Sequence, residues 1–477
     1  MNWTEHYKSI REILKEWNAG FEIKALYPLP QSGSGRIYFR AESTKNSSFI
    51  IAYNSDVEEN MAFFSFTESL LEAGVNVPNI YFIHKSKTYY ILEDLGDTTL
   101  FKYLVTNEFE QALPYYKQAI DNLIKAQVLG KDLIDFSVAY PIPEFNKQAI
   151  LWDLNYFKYY FLKLIYIPFN EKKLEDAFQT FADFLVSTPH EYFMYRDFQS
   201  RNIMIKNQTT YLIDYQGGRK GALQYDLASL LYDSKANLSE TERTTLYNYY
   251  LQTIKNYQSI DEKKFKDYFY AYALVRILQA FGAYGYRGIY EQKEHFLKSI
   301  PYAIKNLQKL LYEGQFNFGA TYLFDVLHKL VNSDNWKKHA ITEENTDKLT
   351  ISITSFSYRS KLPMDNSGNG GGFVFDCRSL PNPGRIDKYK DLTGQSKEVK
   401  EYFETQKETI TNYLDHVFAL LSYATENYLE RNFKHLSVYF GCTGGQHRSV
   451  YCAEQTKKFL EEKYGDKINI TLNHSRL

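Results

Sequence analysis

Apolar residues in the first hundred positions switch between helical and strand spacing. Helical spacing, with an apolar residue every three or four positions, covers Glu5–Trp17 and Glu59–Ala73. Runs that alternate or are wholly apolar, bounded by polar residues, predict four strands: Arg36–Arg40, Ser48–Tyr53, Ile80–His84 and Thr88–Glu93. This order predicts a small lobe of mixed strands and helices over residues 1–97.

Over residues 98–335 the spacing is mainly helical, with one clear interruption. The apolar runs Asn202–Ile205 and Tyr211–Ile213 are too short for helices, and the polar segment Lys206–Thr210 separates them. Two short strands joined by a polar turn are typical of a hairpin. We therefore predict a large helical lobe that contains one hairpin.

Polar residues dominate between positions 336 and 348, and a new pattern begins after this predicted linker. Three strand-like runs, a Gly-rich turn over 368–372 and two helices alternate: strands Leu349–Ser357, Phe373–Asp376 and Leu436–Phe440, and helices from about Ser396 to Arg431 and from Val450 to Lys463. Such alternation favours a parallel sheet. The predicted fold class is α/β: an α+β two-lobed domain followed by a small α/β domain, residues 349–477, with a largely parallel sheet.

Three polar residues around the hairpin point to phosphoryl transfer. Asp197 and Asn202 stand five apart in a tight loop, and the hairpin would bring Asp214 back beside Asn202. Phosphoryl transfer depends on positioning and charge stabilisation: one carboxylate orients the attacking hydroxyl and accepts its proton. Oxygen ligands such as an amide and a second carboxylate suit magnesium. Asp197 fits the first role, and Asn202 and Asp214 fit the second.

Charge and composition narrow the range of partners. The chain has 56 Lys and Arg against 57 Asp and Glu, a net charge of −1, with both signs interspersed. This gives no electrostatic reason to expect nucleic acid or an anionic membrane as partner. No run of about 18 apolar residues and no secretory leader pattern is visible. The three cysteines are too few for a disulfide framework, so we expect a cytoplasmic protein that acts on a small molecule.

Two segments of the small lobe are candidates for nucleotide binding. The first is a glycine-rich loop before the first predicted strand, whose backbone N–H groups could close over phosphates; its residues are Ser32, Gly33, Ser34, Gly35 and Arg36. The second is Glu93–Gly96, where a strand ends in an acidic pair and a glycine. It resembles a hinge whose backbone at Glu93 and Leu95 would pair with the edge of adenine.

These motifs together resemble the aminoglycoside phosphotransferase-like kinases, and within them the bacterial anomeric kinases of N-acetylmuramate and N-acetylglucosamine. The resemblance covers about two thirds of the chain, and its matching text is Glu93–Gly96, Tyr195–Asn202, Ile213–Gln216 and Tyr225–Leu231. The resemblance implies ATP and magnesium as cofactors and Asp197 as the catalytic base. It also implies Asn202 and Asp214 as magnesium ligands and Asp226 as a carboxylate that supports the loop.

Two departures from the family pattern bear on activity. Many members have His at the position of Tyr195, so we expect Tyr195 to support the loop differently, through its hydroxyl. The strand Ser48–Tyr53 has no lysine to hold the α- and β-phosphates. Phosphate holding then falls to Arg36 or Arg40, or activity is low.

A second anion site is predicted near the C-terminus. The strand Leu436–Phe440 leads into a glycine-rich turn and then a helix, which places several N–H groups and the positive end of a helix dipole at one point. The candidate ligand-binding residues there are Cys442, Thr443, Gly444, Gly445, His447, Arg448 and Ser449. The loop lacks the P-loop pattern of Gly-Lys-Ser/Thr, but it satisfies the C-x5-R spacing of cysteine-dependent phosphatases.

This loop also resembles the C-terminal domain of RapZ-type proteins, where it binds an amino-sugar phosphate. Further matching text lies at Ser355–Tyr358, Phe375–Arg378, Leu380–Pro383, Leu392–Gly394 and His474–Arg476, so the resemblance covers residues 349–477. It implies a hexosamine phosphate as ligand, with Arg378 among its contacts, and makes a homo-oligomer an expectation. Gln446 stands where lysine is common.

We therefore expect an ATP- and magnesium-dependent kinase of an amino sugar such as N-acetylmuramate or N-acetylglucosamine, fused to a domain that binds a hexosamine phosphate. Three alternatives stay open at this point. The kinase could phosphorylate an aminoglycoside or a choline-like compound, it could be a pseudokinase fused to a metabolite sensor, or the C-x5-R loop could be a phosphatase. No membrane or nucleic-acid partner is expected.

Overall fold

The computed structural model describes residues 3–30, 35–314, 316–340, 348–360, 363 and 372–476. The chain divides into two compact units: Met1–Tyr290 with Ser299–Ala340, and Glu291–Lys298 with Ile341–Leu477. None of the helices that it describes is both long and apolar enough to cross a membrane.

The first unit opens with a five-stranded antiparallel sheet in the order β1-β2-β3-β5-β4. Its strands are β1 (Ile23–Pro28), β2 (Ile37–Ser43), β3 (Ser48–Tyr53), β4 (Ile80–Ile83) and β5 (Tyr89–Glu93). Helix α1 (Trp3–Trp17) buries Ile10, Ile13 and Leu14 in one cluster with the sheet residues Phe39 and Ile51. Strand β1 has no counterpart in the sequence prediction, because its apolar residues fall irregularly.

Helix α2 (Val57–Glu72) connects the sheet to the large lobe. Asp56 caps it by accepting a hydrogen bond from Glu59 N at 3.1 Å. On its buried face, Phe63 stacks on Tyr215 with ring centroids 5.1 Å apart, and Thr67 Oγ1 lies 2.7 Å from the Tyr215 hydroxyl. Because Tyr215 follows the predicted magnesium ligand Asp214, α2 is anchored directly beside that residue.

The large lobe is helical, as predicted, with two short antiparallel strand pairs. Its helices are α3 (Leu100–Thr106), α4 (Phe109–Ile124), α5 (Lys147–Phe157), α6 (Glu171–Val186), α7 (Leu223–Leu231), α8 (Glu240–Ile254) and α9 (Glu262–Ala283), then α10 (Glu294–Leu297) in the segment grouped with the second unit, α11 (Ile300–Glu313) and α12 (Thr321–Asn332). The strand pairs are β6 (Tyr192–Met194) with β9 (Arg219–Gly221), and β7 (Ile203–Lys206) with β8 (Thr209–Leu212).

Helices α5 and α9 each continue into a π-helical turn. These turns are Lys158–Leu162 and Tyr284–Tyr290. They touch backbone to backbone: a Cβ added at Gly285 would lie 1.6 Å from the Tyr160 carbonyl oxygen. Glycine is therefore required at position 285, because the two turns cross there with no room for a side chain.

The second unit contains a four-stranded sheet in the order β11-β12-β10-β13, with every neighbouring pair parallel. Its strands are β10 (Leu349–Ser357), β11 (Gly372–Asp376), β12 (His435–Cys442) and β13 (Ile468–His474), and its main helices are α13 (Lys397–Thr405), α14 (Lys407–Glu430) and α15 (Arg448–Tyr464). The predicted fold class is confirmed.

The single long helix predicted from about Ser396 to Arg431 is wrong, because the chain forms two helices that meet at Gln406. Gln406 has φ −111° and ψ 29°, outside the helical range. Thr405 Oγ1 donates to the Tyr402 carbonyl at 2.7 Å, a local bond of the kind that competes with the helical ladder. The apolar spacing continues through this break, which is why the sequence predicts one helix.

Candidate functional site

The hairpin β7–β8 returns the chain to the loop 195–202. The two residues between the strands have φ of 49° and 61°, the left-handed conformation that a two-residue hairpin turn requires. Ile213 N donates to the Asn202 carbonyl at 3.0 Å. The side chains of Asn202 and Asp214 therefore meet, with Nδ2 3.4 Å from Oδ2.

Asn202 also joins the third member of the predicted cluster. Its Nδ2 donates to the Asp197 backbone carbonyl at 2.9 Å, which leaves its amide oxygen directed away from both bonds. Asp214 has φ 68°, unusual for a residue with a side chain, and accepts a hydrogen bond from Gln216 Nε2 at 2.8 Å. Asn202 and Asp214 thus present oxygen atoms of the type that magnesium prefers.

Metal binding at this point would use few protein ligands. Among the residues that the structure describes, no group of three or more His, Cys, Asp and Glu side chains converges to hold a metal ion. Magnesium commonly binds through one or two carboxylates together with substrate phosphates and water. The donor set of Asn202 and Asp214 fits that mode.

Asp226 supports the loop from beneath. Its two carboxylate oxygens accept the backbone N–H groups of Tyr195 at 2.7 Å and of Arg196 at 2.9 Å. The side chain is fully buried, and burial raises the pKa of Asp226 to about 7 against the lowering effect of these two N–H groups. The Tyr195 hydroxyl donates to the Ile213 carbonyl, so Tyr195 joins the loop to the hairpin.

Arg196 anchors the loop to helix α5. Its guanidinium forms a bidentate ion pair with Asp153, at 2.7 and 2.8 Å, and donates to the Tyr225 hydroxyl at 2.7 Å. Arg196 itself has φ 83°. Planar two-point recognition of this kind fixes orientation as well as charge, and it holds the residue next to Asp197 in place.

Asp197 is about half exposed and faces one arginine. Arg276 Nη2 on helix α9 lies 3.6 Å from Asp197 Oδ1, and the side chain of Arg276 is buried. Ser229 fixes this guanidinium by accepting from its Nε at 3.0 Å. The geometry leaves the Asp197 carboxylate accessible to a small hydroxyl compound.

Arg36 is one of the two candidates for the phosphate-holding role of the missing lysine. It is 3% exposed, its Nη2 lies 3.2 Å from Glu59 Oε2 on α2, and neither Nε nor Nη2 has a well-directed hydrogen-bond acceptor. Both Arg36 and Asp214 act on the pKa of the Tyr38 hydroxyl: burial raises that pKa, Arg36 lowers it and Asp214 raises it. Arg36 is therefore a buried cation that is paired with Glu59 and lies beside Tyr38.

Arg40, the other candidate for phosphate holding, is engaged elsewhere. Its Nε lies 2.7 Å from Asp94 Oδ2, and its Nη1 lies 3.0 Å from Asp97 Oδ1. It also donates to the Gly96 carbonyl at 3.2 Å. Arg40 thus shapes the predicted hinge, and Arg36 is the stronger candidate.

Some polar groups of the predicted hinge already have partners within the protein. Glu93 N donates to the Asn79 carbonyl at 2.9 Å, and the Glu93 carboxylate pairs with Lys206 Nζ at 2.7 Å. Within the described part of the chain, the Leu95 N–H donates to no other group. Of the predicted glycine-rich loop, Ser32, Gly33 and Ser34 lie outside the described residues. Gly35 is exposed, with open space around it.

The second candidate site lies where parallel strands of the second unit end, the usual position of a ligand in such a sheet. Strand β12 ends at Cys442, and α15 begins at Arg448. Gly445, between them, has φ 72°, and a Cβ there would lie 2.9 Å from Ser357 at the end of β10. The loop is therefore packed closely against the end of β10.

Cys442 points into this loop. Its Sγ accepts a hydrogen bond from Gly445 N at 3.2 Å and lies 3.1 Å from Ser449 Oγ. Burial tends to raise the pKa of the Cys442 thiol, but these bonds together with Arg448 bring it below its ordinary value. All three cysteines of the chain are free and buried.

The basic residues of the loop differ in how they are held. Arg448 is buried and donates to the backbone carbonyls of Arg378 at 2.9 Å and Leu380 at 3.2 Å. His447 Nε2 lies 2.8 Å from the Tyr389 carbonyl oxygen. Arg378 is half exposed, pairs with Asp376 at 2.7 Å and lies 4.1 Å above the Tyr358 ring. Of these residues, Arg378 is the one whose guanidinium is open to solvent.

Two family models match this chain, one in each unit. Residues 30–262 match the model of the phosphotransferase enzyme family, and residues 349–477 match that of the RapZ C-terminal domain. The chain carries a phosphotransferase-family domain and a RapZ C-terminal domain. The narrower branch of amino-sugar kinases is not distinguished by these matches.

Similar curated proteins share part of the chain with this one. A nucleotide-binding protein of Xylella fastidiosa (strain M12) is 37% identical over 141 residues, which are 28% of this chain and 44% of that protein. One from Acidobacterium capsulatum is 40% identical over 121 residues, 25% of this chain and 38% of that protein. The chain thus spans less than half the length of these relatives.

Solved structures similar to this chain include a choline kinase, an ethanolamine kinase and an aminoglycoside phosphotransferase. A choline kinase from Streptococcus pneumoniae has a TM-score of 0.44 and 16% identity, covering 64% of this chain and 99% of that one. A Plasmodium vivax ethanolamine kinase has a TM-score of 0.46 and 14% identity, covering 65% and 89%. An aminoglycoside phosphotransferase with bound ADP has a TM-score of 0.41 and 16% identity, covering 63% and 96%.

Three residues of the phosphotransferase site escaped the sequence analysis. Asp153 and Arg276 lie on helices far from the loop in sequence and belong to no motif. Glu59 lies at the start of a predicted helix that follows a strand of the small lobe. That position of an acidic residue is the one sequence signal that could have identified Glu59.

Proposed function

We propose that this chain is an ATP- and magnesium-dependent kinase of an amino sugar of the N-acetylmuramate or N-acetylglucosamine type. The cluster of Asp197, Asn202 and Asp214 carries the proposal. Asp197 is the accessible carboxylate that would orient the acceptor hydroxyl and receive its proton, while Asn202 and Asp214 would hold magnesium, which neutralises charge on the phosphates. The phosphotransferase-family match supports the same chemistry.

Charges near Asp197 favour a neutral or anionic acceptor over an aminoglycoside or a choline-like cation. Asp197 faces Arg276, and Arg201 is exposed in the same loop. The carboxylates of Asp153, Asp226 and Asp233 are already bound, by Arg196, by backbone N–H groups and by Ser200 respectively. An acidic pocket that would attract a cation is therefore not supported, whereas a sugar fits.

Arg36 would replace the absent lysine in holding the nucleotide phosphates. Its guanidinium is buried and is held by Glu59 on α2, while its Nε has no hydrogen-bond acceptor. Arginine keeps its charge when buried and can contact a phosphate at two points. This arrangement argues for an active kinase and against the pseudokinase alternative.

For the second unit we propose that the loop 442–449 binds a hexosamine phosphate. Its backbone N–H groups, the N-terminus of α15 and the exposed guanidinium of Arg378 suit a phosphate. Thr443, Gly444, Gly445 and Ser449 would line the anion. The lowered pKa of Cys442 makes a cysteine-dependent phosphatase the second candidate, although Arg448 is bound to backbone carbonyls.

The kinase is tested by ATP turnover with N-acetylmuramate, N-acetylglucosamine, glucosamine, an aminoglycoside and choline. We expect turnover with an N-acetylated amino sugar, and a loss of about 100-fold or more in kcat for Asp197→Asn. Asp176→Asn, an exposed aspartate on α6, serves as the matched control. Turnover with choline or the aminoglycoside alone would replace the sugar proposal, and magnesium-dependent ATP binding without turnover would favour a pseudokinase.

The second site is tested by calorimetric binding of glucosamine 6-phosphate to the full chain. Binding that persists in Cys442→Ser, without phosphate release by the wild type, would exclude the phosphatase. Regulation requires that the two sites be coupled energetically. If saturating glucosamine 6-phosphate changes neither sugar turnover nor nucleotide affinity, the domain does not regulate the kinase.

A further inference from the structure

Four tyrosine rings contact one another where helices α5 and α9 end, outside the site described above, and Trp152 lies one helical turn before the first of them on α5. Trp152 and Tyr156 lie on α5, Tyr160 lies on the π-turn that follows it, and Tyr286 and Tyr290 lie on the π-turn that follows α9. Their ring centroids are 5.2 Å apart for Tyr156 and Tyr160, 5.0 Å for Tyr160 and Tyr286, and 5.7 Å for Tyr286 and Tyr290. We name these five residues the aromatic platform.

The aromatic platform is open to solvent, unlike the aromatic core of the lobe. Trp152 is 51% exposed, Tyr160 is 38% exposed and Tyr290 is 69% exposed. Aromatic side chains this large are normally buried, and a contiguous exposed group of them marks a binding surface. The backbone contact at Gly285 fixes the surface, because the two π-turns cross there with no room for a side chain. Such turns are frequent at functional sites.

The aromatic platform is joined to the catalytic loop through both helices. On α5, Asp153 binds Arg196, the neighbour of Asp197, and Tyr156 follows Asp153 by three positions, on the same helix face. On α9, Arg276 faces Asp197, and a Cβ at Gly282, six residues later, would meet the Tyr156 ring at 2.5 Å. At about 1.5 Å per residue, the surface begins within about two helical turns of the proposed base.

We propose that the aromatic platform binds the acceptor, and that its chemistry selects a pyranose ring without positive charge. This inference rests on the proposed kinase function. Tyrosine and tryptophan rings offer flat apolar faces for the C–H side of a sugar, and their hydroxyl and N–H groups offer hydrogen bonds at the edge. An aromatic surface could also bind a quaternary ammonium by cation–π contact. Here, however, Arg287 already lies over the Tyr286 ring, 5.3 Å from its centroid, where a second cation would have to bind.

The test compares Trp152→Ala and Tyr160→Ala with two controls in the full-length protein. Tyr160→Phe keeps the ring, and Tyr312→Ala removes a 93% exposed tyrosine on α11. We expect the KM for N-acetylmuramate or N-acetylglucosamine to rise by about tenfold in each alanine variant. The KM for ATP should be unchanged and Tyr312→Ala should behave as wild type, whereas Tyr160→Phe, which keeps the ring, should raise the sugar KM less than Tyr160→Ala does. An unchanged sugar KM in both alanine variants, with a wild type that turns the sugar over, would overturn the platform while leaving the kinase intact.

Failure of the kinase itself gives a different pattern. If the wild type phosphorylates no sugar, binding of the same two sugars is measured by saturation-transfer NMR with wild type and Tyr160→Ala. Sugar binding that disappears in Tyr160→Ala supports the aromatic platform without the reaction, and absence of sugar binding overturns both proposals. Turnover of choline that weakens in Tyr160→Ala would overturn the sugar assignment, because the surface would then act as a cation cage.

Discussion

Arg36 and Glu59 form an ion pair across the small lobe, with Nη2 3.2 Å from Oε2. Asn54 Nδ2 holds the same Glu59 oxygen at 2.5 Å, so the carboxylate is fixed before any nucleotide binds. The pair joins the residue before strand β2 to helix α2, whose Thr67 contacts Tyr215 next to Asp214. A phosphate bound by Arg36 would therefore contact a residue that is linked through α2 to the neighbour of Asp214.

Replacing Arg36 should weaken use of ATP more than use of the acceptor. Arg36→Gln removes a buried positive charge, and we expect kcat/KM for ATP to fall about 100-fold, corresponding to ~3 kcal/mol. Arg36→Lys should retain part of the activity, because the charge remains but two-point contact is lost. Steady-state kinetics with varied ATP measure the effect. Arg11→Gln, an exposed arginine on α1, is the control, and thermal unfolding shows whether the variants fold.

Gln216 should tune magnesium affinity without contacting the metal. Its Nε2 donates to Asp214 Oδ1 at 2.8 Å, which orients the carboxylate. Loss of such a partner typically lowers metal affinity about 10- to 100-fold, so Gln216→Ala should raise the magnesium concentration for half-maximal turnover by that factor. A magnesium titration after treatment with chelator measures it, with Gln179→Ala on the exposed face of α6 as control. Equal magnesium midpoints for wild type and Gln216→Ala would contradict the assignment of Asp214.

Asp226 should make stability fall as pH rises. Burial raises its pKa from 3.8 to about 7 in the folded protein, so the folded state holds an extra proton between about pH 4 and pH 7. The protonated Asp226 therefore contributes its full stabilisation below pH 4. Between pH 4 and pH 7 the unfolding free energy falls by up to about 1.4 kcal/mol for each unit that the pH rises. Urea unfolding at several pH values should show a shallower slope for Asp226→Asn than for Asp176→Asn. Parallel slopes would show that Asp226 is ionised throughout.

Two neighbouring glycines of the second site should respond differently to alanine. Gly445 has φ 72° and no room for a Cβ beside Ser357, whereas no heavy atom lies within 4 Å of the Cβ position at Gly444. A left-handed alanine costs about 1–2 kcal/mol, and the clash adds to it. We expect Gly445→Ala to lose at least about tenfold in affinity for glucosamine 6-phosphate, and Gly444→Ala to bind almost as wild type. Calorimetry measures both, and equal losses would show that loop shape is not the determinant.

The parts of the phosphotransferase site that lie close together in sequence could be predicted. Asp197, Asn202 and Asp214 fall within one loop and one hairpin, and local apolar spacing with a polar turn is enough to bring them together. Arg196 and Tyr195 could be placed in the loop but not given partners. Those partners, Asp153 and Asp226, come from helices whose packing depends on the whole lobe.

The choice between Arg36 and Arg40 shows a second limit of prediction from the sequence. The absence of lysine from β3 was visible in the sequence, and Arg36 and Arg40 were the open alternatives. Both arginines lie in the predicted strand Arg36–Arg40, and its apolar spacing gives no reason to prefer one of them. Only the three-dimensional contacts distinguish the two. Arg40 turns to Asp94 and Asp97, while Arg36 turns to α2. The cytoplasmic location and the homo-oligomer stay predictions.

Gln446 gives the second site a rigid frame. Its side-chain amide donates to the carbonyls of Lys390 at 3.1 Å and Leu392 at 2.7 Å, and its own carbonyl accepts Gly394 N at 2.9 Å. The side chain and the backbone carbonyl of Gln446 thus both hold the glycine-rich turn against the segment 390–394. In the proposed binding mode an arriving anion would meet a turn that is already ordered, so the conformational entropy of ordering the turn is lost when the protein folds rather than when the ligand binds. Glutamine at this position brings no charge that would attract an anion from a distance, but it gives the anion a binding loop that is shaped in advance.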